Sequence, residues 1–199
     1  WGGRFQDAAD PLMEAFTQSV SYDQLLANFD IAGSKAHASM LRAVGLLSEE
    51  EFAAIDKGLD SIGEKIGKGE FTFDPKKEDV HMNIESALKE LIGTPAGKLH
   101  TGRSRNDQIA LDERLYLCYA ISCMQVYIRN LQSALVLLAD KNSDVIIPGF
   151  THMQYAMPVL AAHHLLAYVE MLDRDFGRFG DQFGRILRSM PLGAGALAG

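Results

Sequence analysis

From Asn106 to Asp140 the chain runs for more than thirty residues without a glycine or a proline, and this run constrains the fold more than any other feature. At about 1.5 Å per residue, a helix of that length extends roughly 50 Å. Its apolar positions (Ile109, Leu111, Leu115, Leu117, Ile121, Met124, Val126, Leu131, Leu135 and Leu138) wrap much of the circumference. Such a helix must be enclosed by other helices, within a bundle or between subunits. NSDVIIPGFTHMQYAMP follows and reads as a loop, and Pro158 then starts a second long helix reaching about Arg188. Gly177, Gly180 and Gly184 sit on neighbouring turns of it. Glycine weakens a helix, so this spacing points to close helix approach, with simple tolerance as the alternative.

The preceding part is also helical in pattern. Leu26, Phe29, Gly33, Ala36, Met40, Val44 and Leu47 follow three- and four-residue steps from about Ser21 to Val44, and Gly45 is a plausible stop. Ser48 and Glu51 form a capping box ahead of Phe52, Ile55, Leu59, Ile62 and Ile66, a helix closing near Gly67 or Gly69. GEFTFDPKKED is a loop, and a third helix runs from about Val80 to Leu91 with His81, Glu85 and Leu88 on one face. The expected fold is all-α: a small N-terminal helical domain over 1–103, then the first two helices of a central bundle over 104–199. Two such helices cannot bury all their apolar surface against each other. Either the chain oligomerises or further polypeptide covers it.

Composition narrows the function. Apolar residues make up 47% of the 199 and charged residues 23%, ordinary for a soluble globular protein. A net charge of -7 argues against nucleic-acid or anionic-membrane partners. Lys98, His100, Arg103 and Arg105 crowd together against that acidic background, which suits a small anionic ligand. Cys118 and Cys123 sit too far apart along one helix to bridge and read as reduced core cysteines. With no signal peptide and no membrane-length apolar run, they place the expected location in the cytoplasm. The chain opens at Trp1 rather than methionine, which reads as a piece of something longer.

Four segments carry candidate chemistry. GRSRNDQ puts Ser104, Arg105 and Asn106 at a helix start, where unpaired N–H groups and the positive helix end favour an anion. Arginine can add a bidentate grip on a carboxylate. An ordinary cap with solvated arginines is the competing reading. THMQ offers the hydroxyl of Thr151 and the titratable His152, although a lone loop histidine is usually structural or merely exposed. EDVHMNIE sets Asp79 before a helix and His81 one turn from Glu85, more simply a surface helix contact. A metal is not expected there, because the spacing matches no recognisable ligand set. In DIAGSKAH, a mid-helix serine such as Ser34 normally bonds a carbonyl of the preceding turn.

Taken together, WGGRF, DIAGSKAHASML, EDVHMNIE, GKLHTGRSRNDQ, PGFTHMQYAMP and PLGAGALAG resemble the argininosuccinate lyases of the fumarase/aspartase superfamily, in order and over essentially the whole chain. THMQ is shared in part by fumarase, aspartase and adenylosuccinate lyase. The resemblance implies a cofactor-free carbon–nitrogen lyase that eliminates fumarate from argininosuccinate and releases arginine, a step of arginine biosynthesis. It also implies a homotetramer whose active sites draw on three subunits. Carried over by motif, Ser34, Asn106 and Thr151 would contact substrate. Ser104 and Arg105 would hold its carboxylates, His152 would be the catalytic histidine, and Asp79 and His81 would belong to a further active-site segment. The family's signature loop, rich in Ser and Gly with a Met-Pro-x-Lys core, corresponds to polypeptide beyond Gly199, so this chain alone is expected to be inactive. The alternatives are another fumarate-releasing lyase of the superfamily or a non-catalytic, crystallin-like helical protein.

Overall fold

The computed structural model of the chain describes residues 10–197; WGGRF lies outside them. The fold is helical, as expected, with one two-stranded hairpin. Two short helices, α1 (Pro11–Thr17) and α2 (Val20–Asp23), lead through a 3-10 turn into α3 (Ala27–Ala43). Then come α4 (Glu49–Gly67), α5 (Val80–Ile92), α6 (Arg105–Lys141), strands β1 (Ile146–Thr151) and β2 (Gln154–Leu160), and α7 (Ala161–Ile186). No helix among the described residues is long and apolar enough to cross a membrane. They form two compact units, 10–116 with 190–197, and Leu117–Ser189.

The core of the first unit forms where α3, α4 and α5 meet. Ile55, Leu59 and Ile62 of α4 pack with Ala38 and Leu41 of α3 and with Val80, Ile84 and Leu88 of α5. Each fully buried leucine or isoleucine contributes about 1.5–3 kcal/mol. The capping box is present: Glu51 N–H donates to Ser48 Oγ at 3.2 Å, and Ser48 N–H to Glu51 Oε2 at 3.0 Å. Gly45 ends α3 with φ +79°, a left-handed conformation that glycine adopts without penalty. The buried face of α3 differs from the expected stripe. Asp30, Ile31, Ser34, His37, Ala38 and Leu41 are buried, whereas Met40 is 43% and Val44 62% exposed. Hydrophobicity misjudged this helix because part of its inward face joins a polar cluster.

Helix α4 approaches α5 at Gly58, where a Cβ would lie 2.6 Å from Leu88 Cδ1 and 3.3 Å from Ile92 Cγ2. Leu88 is fully buried and has little room to yield. Gly58→Val is expected to lower stability by about 1–3 kcal/mol through overpacking, read as a lower urea midpoint with unchanged slope. An unchanged midpoint would show that Leu88 moves aside freely.

In the second unit, α7 pairs with the Leu117–Lys141 part of α6. Gln132 Nε2 donates to Val169 O at 2.9 Å and Gln125 Nε2 to Phe176 O at 3.3 Å. The Arg129 guanidinium stacks over the Phe176 ring at 3.9 Å. Of the three α7 glycines, only Gly180 is close to a neighbour, with Gln125 Nε2 at 3.5 Å; nothing lies within 4 Å of a Cβ at Gly177 or Gly184. Within this unit, therefore, the glycine spacing does not mark a tight crossing. Val126, Tyr127, Leu131 and Leu137 remain 50% exposed or more, the uncovered surface expected of two lone bundle helices.

The segment expected as a loop, with helix from Pro158, is instead an antiparallel hairpin, and α7 starts only at Ala161. Val, Ile, Phe and Tyr favour a pleated surface. Pro148 and Pro158 face each other across the ladder, a position proline tolerates because both strands are edges. A bulge follows Gly149.

Candidate active site

The sequence points to Asn106 or Asp107 as the cap of α6, but the helix begins at Arg105 and Ser104 is its cap. Ser104 Oγ accepts from Asn106 N–H at 3.3 Å, and Asp107 Oδ1 accepts from Ser104 N–H at 3.0 Å. The other Asp107 oxygen takes N–H bonds from Gly193 (3.2 Å) and Gly195 (2.8 Å), so the stretch around these two glycines folds back onto the helix start. Burial pushes the Asp107 pKa up, but the N–H groups of Gly195, Ser104, Gly193 and Gln108 outweigh it and hold the carboxyl below its usual range.

Arg105 joins the first two expected segments. Its Nε lies 3.3 Å from Asp79 Oδ2. Nη1 and Nη2 each donate to one oxygen of Glu85 at 3.3 Å, a fork-on-fork pairing, and Nη1 also bonds Gln108 Oε1. Asp79 meanwhile caps α5, its Oδ1 accepting from Met82 N–H at 2.6 Å. The other cations have partners too: Lys98 pairs with Glu51, His100 with Glu85, and Arg103 Nη1 donates to Ser34 Oγ at 3.0 Å. Lys98, His100 and Arg105 are thus paired with acids of the same chain, whereas the buried Arg103 keeps Nε and Nη2 without hydrogen-bond partners, and Asn106 stands exposed beside them.

Beneath this junction lies a buried polar cluster. His81, 1% exposed, does not make the expected surface pair with Glu85; its Nδ1 donates to Asp30 Oδ1 at 3.0 Å and lies 3.4 Å from Asp112 Oδ2. Gln108 Nε2 also donates to Asp30. Ser34, 2% exposed, accepts from Arg103 rather than back-bonding its own helix. Burial acts to raise the Asp30 pKa, but the hydrogen bond and charge of His81, the Gln108 amide and Arg103 together hold it below its usual range. Asp112 goes the other way: burial, then the charge of Asp30 and the hydrogen bond with it, push its pKa up to about 9. Burial also lowers the pKa of His37, whose Nε2 bonds Thr101 O at 2.9 Å.

Asp30, His81 and Asp112 bring their polar atoms within 4.8 Å of one another, the donor set of a small cation site. As folded, however, His81 Nδ1 is committed to Asp30 and burial favours the neutral form of Asp112, and a cation would have to overcome both. His81 also lines a cavity of about 420 Å³ with Ser19, Tyr22, Asp23, Glu113 and Tyr116. Asp23 accepts from Val80 N–H at 3.1 and 3.3 Å and from the Ser19 hydroxyl. Asp23, Asp30, Gln108 and Asp112 were not singled out from sequence. The available signal was a polar residue inside an apolar helical stripe, with Gln108 and Asp112 one turn apart on one face.

Thr151 and His152 belong to the second unit. They sit at the hairpin end, where Thr151 pairs with Gln154 around the two-residue turn His152-Met153. Both turn residues have positive φ, 51° and 59°, the geometry of a type I′ turn usually built from Asn-Gly. For His and Met this costs on the order of 1–3 kcal/mol each. Backbone strain of this kind clusters at functional positions, and the turn holds the imidazole in the open.

The chain belongs to the lyase family, whose model, described as "Lyase", matches residues 3–199. Argininosuccinate lyase of Thioalkalivibrio sulfidiphilus is 54% identical over the whole chain, which covers 42% of that protein. The chloroplastic argininosuccinate lyase of Arabidopsis thaliana is also 54% identical over the whole chain, covering 38% of it. The chain thus spans about two fifths of the length of these curated relatives. Among solved structures, EDDS lyase in complex with formate superimposes with a TM-score of 0.76 at 30% identity, over 97% of this chain and 38% of that one. A class II fumarase from Schistosoma mansoni, 20% identical, matches with a TM-score of 0.67 over 81% of this chain and 38% of its own. The fold is that of the fumarase/aspartase superfamily.

Proposed function

We propose that this chain is the N-terminal part of a cytoplasmic argininosuccinate lyase that eliminates fumarate from argininosuccinate and releases arginine. In this reading residues 1–103 form an N-terminal domain and 104–199 open the central bundle of a homotetramer, whose other copies cover the exposed faces of α6 and α7. The observation that carries the reading is the Arg105–Asp79 contact, which brings GRSRNDQ and EDVHMNIE to one place at the starts of α5 and α6. In the reaction a base outside this chain, on the family's signature loop, takes a proton from the carbon beside a succinyl carboxylate, and the guanidino nitrogen leaves with the electron pair of the broken carbon–nitrogen bond. Donors around the α6 start (Ser104, Arg105 and Asn106) stabilise the charge that develops on that carboxylate. Thr151 contacts substrate, and His152 gives its proton to the leaving nitrogen. Asp79 and His81 hold the succinyl end, and Ser34 acts by holding Arg103.

The test is a chimera in which this chain replaces the matching segment of the Thioalkalivibrio sulfidiphilus enzyme, assayed for fumarate by ultraviolet absorbance. The chimera is expected to release fumarate from argininosuccinate, and the chain alone to release none. A folded tetrameric chimera without that activity, or turnover by the chain alone, would count against the reading. The 30% identical EDDS lyase favours, as a second reading, another fumarate-releasing lyase of the superfamily, which the same assay separates by substrate.

A further inference from the structure

The buried cluster contains a carboxyl group for which the junction chemistry has no use. Asp112 is fully buried, and no amide or N–H donor reaches either of its oxygens; its neighbours are His81 Nδ1, at 3.4 Å, and the Asp30 carboxyl. A buried carboxylate without donors is costly, and two ionised carboxylates side by side repel. One proton between them removes both difficulties, since a carboxylic acid brings its own donor and Asp30 can accept it. His81 is the third member: with Nδ1 engaged, its Nε2 is the ring nitrogen without a partner, on a side chain that lines the 420 Å³ cavity.

The geometry points to Asp112 as a positioning residue for His81: its protonated carboxyl hydrogen-bonds Asp30, the two act as one anion gripping His81 Nδ1–H, and Nε2 is left to exchange a proton with an occupant of the cavity. The charged groups around the cluster agree with this. Asp30 comes from α3, His81 and Glu85 from α5, Arg103 from the loop before α6, and Arg105 from α6 itself, while Asp23 and Glu113 face the cavity. The pKa raised to about 9 at Asp112, beside a lowered one at Asp30, is the asymmetry expected of a pair sharing one proton. The inference rests on the lyase reading only for the occupant, a small polycarboxylate.

The test needs no substrate. In the 199-residue chain labelled with ¹³C at aspartate carboxyls and ¹⁵N in histidine rings, Asp112 is assigned with Asp112→Asn and His81 with His81→Gln. The Asp112 carboxyl is expected to be protonated at pH 7 and to titrate only well above the usual carboxylate range. Asp112→Asn, neutral and still a donor, should keep the His81 ring ¹⁵N signature of a hydrogen-bonded Nδ1–H, whereas Asp30→Asn should lose it. An ionised Asp112 at pH 7, or loss of that ¹⁵N signature in Asp112→Asn as complete as in Asp30→Asn, overturns the inference. The carboxyl signal of the unaltered chain decides the matter if a variant does not fold. A chimera without lyase activity, with these signals intact, would overturn the proposed function and leave this assignment standing.

Discussion

Replacing Asp30 with alanine is expected to remove about 3–5 kcal/mol of folding stability, a large share of the 5–15 kcal/mol typical of a native domain. The carboxylate is 1% exposed and accepts from His81 and Gln108, with the charge of Arg103 nearby. Alanine would strand those donors in a site that water does not reach, and an orphaned buried charge costs more than the pair contributes. Because the folded-state pKa of Asp30 is lowered, its contribution is present above its ordinary value of 3.8 and lost as pH falls. The gap between parent and variant in urea unfolding should therefore be wide at pH 7 and close under acid. A loss below about 1 kcal/mol at pH 7, within the range of an ordinary hydrogen bond, would mean that water enters the cluster.

His152→Asn, made in the chimera, is expected to lower turnover by about 10² to 10⁴, the usual contribution of a general acid, while leaving the fold intact. The structure makes this substitution unusually clean. His152 sits exposed at the turn with φ 51°, and asparagine is among the residues that best tolerate that conformation. The hairpin should keep its stability or gain a little, so a drop in rate cannot be blamed on unfolding. Turnover within a few-fold of the parent, at normal thermal stability, would take His152 out of the mechanism.

Much of the helical scaffold was legible because it follows single-element rules. Ser48 and Glu51 announce a capping box at any burial, Gly45 marks a helix end, and the glycine-free run after Asn106 can hardly be anything but a long helix. The hairpin was not legible from its turn. His-Met carries no turn signal, and two prolines in the flanking segments argue for loop unless one knows that both strands are edges. The candidate site divides in the same way. Ser104, Arg105, Asn106, Thr151 and His152 lie in compact motifs that can be read along the chain. Asp30, Gln108 and Asp112 matter through a partner on another helix, and periodicity alone treats an acid on an apolar face as noise. The long-range contact of Asp107, readable along the chain only as a candidate helix cap, escaped for a related reason: its second carboxylate oxygen reaches Gly193 and Gly195, far along the sequence.

The opposed prolines of the hairpin also bear on how this protein avoids fibre growth. Ile146, Phe150, Tyr155 and Met157 give the two strands a mostly apolar, 56% or more exposed surface, and bare strand edges of that composition invite stacking of one chain on the next. Pro148 and Pro158 each withhold an N–H at the same level of the ribbon, so neither edge can offer an incoming strand a continuous row of donors. The ribbon can present its greasy face to a proper neighbour while remaining a poor template for amyloid.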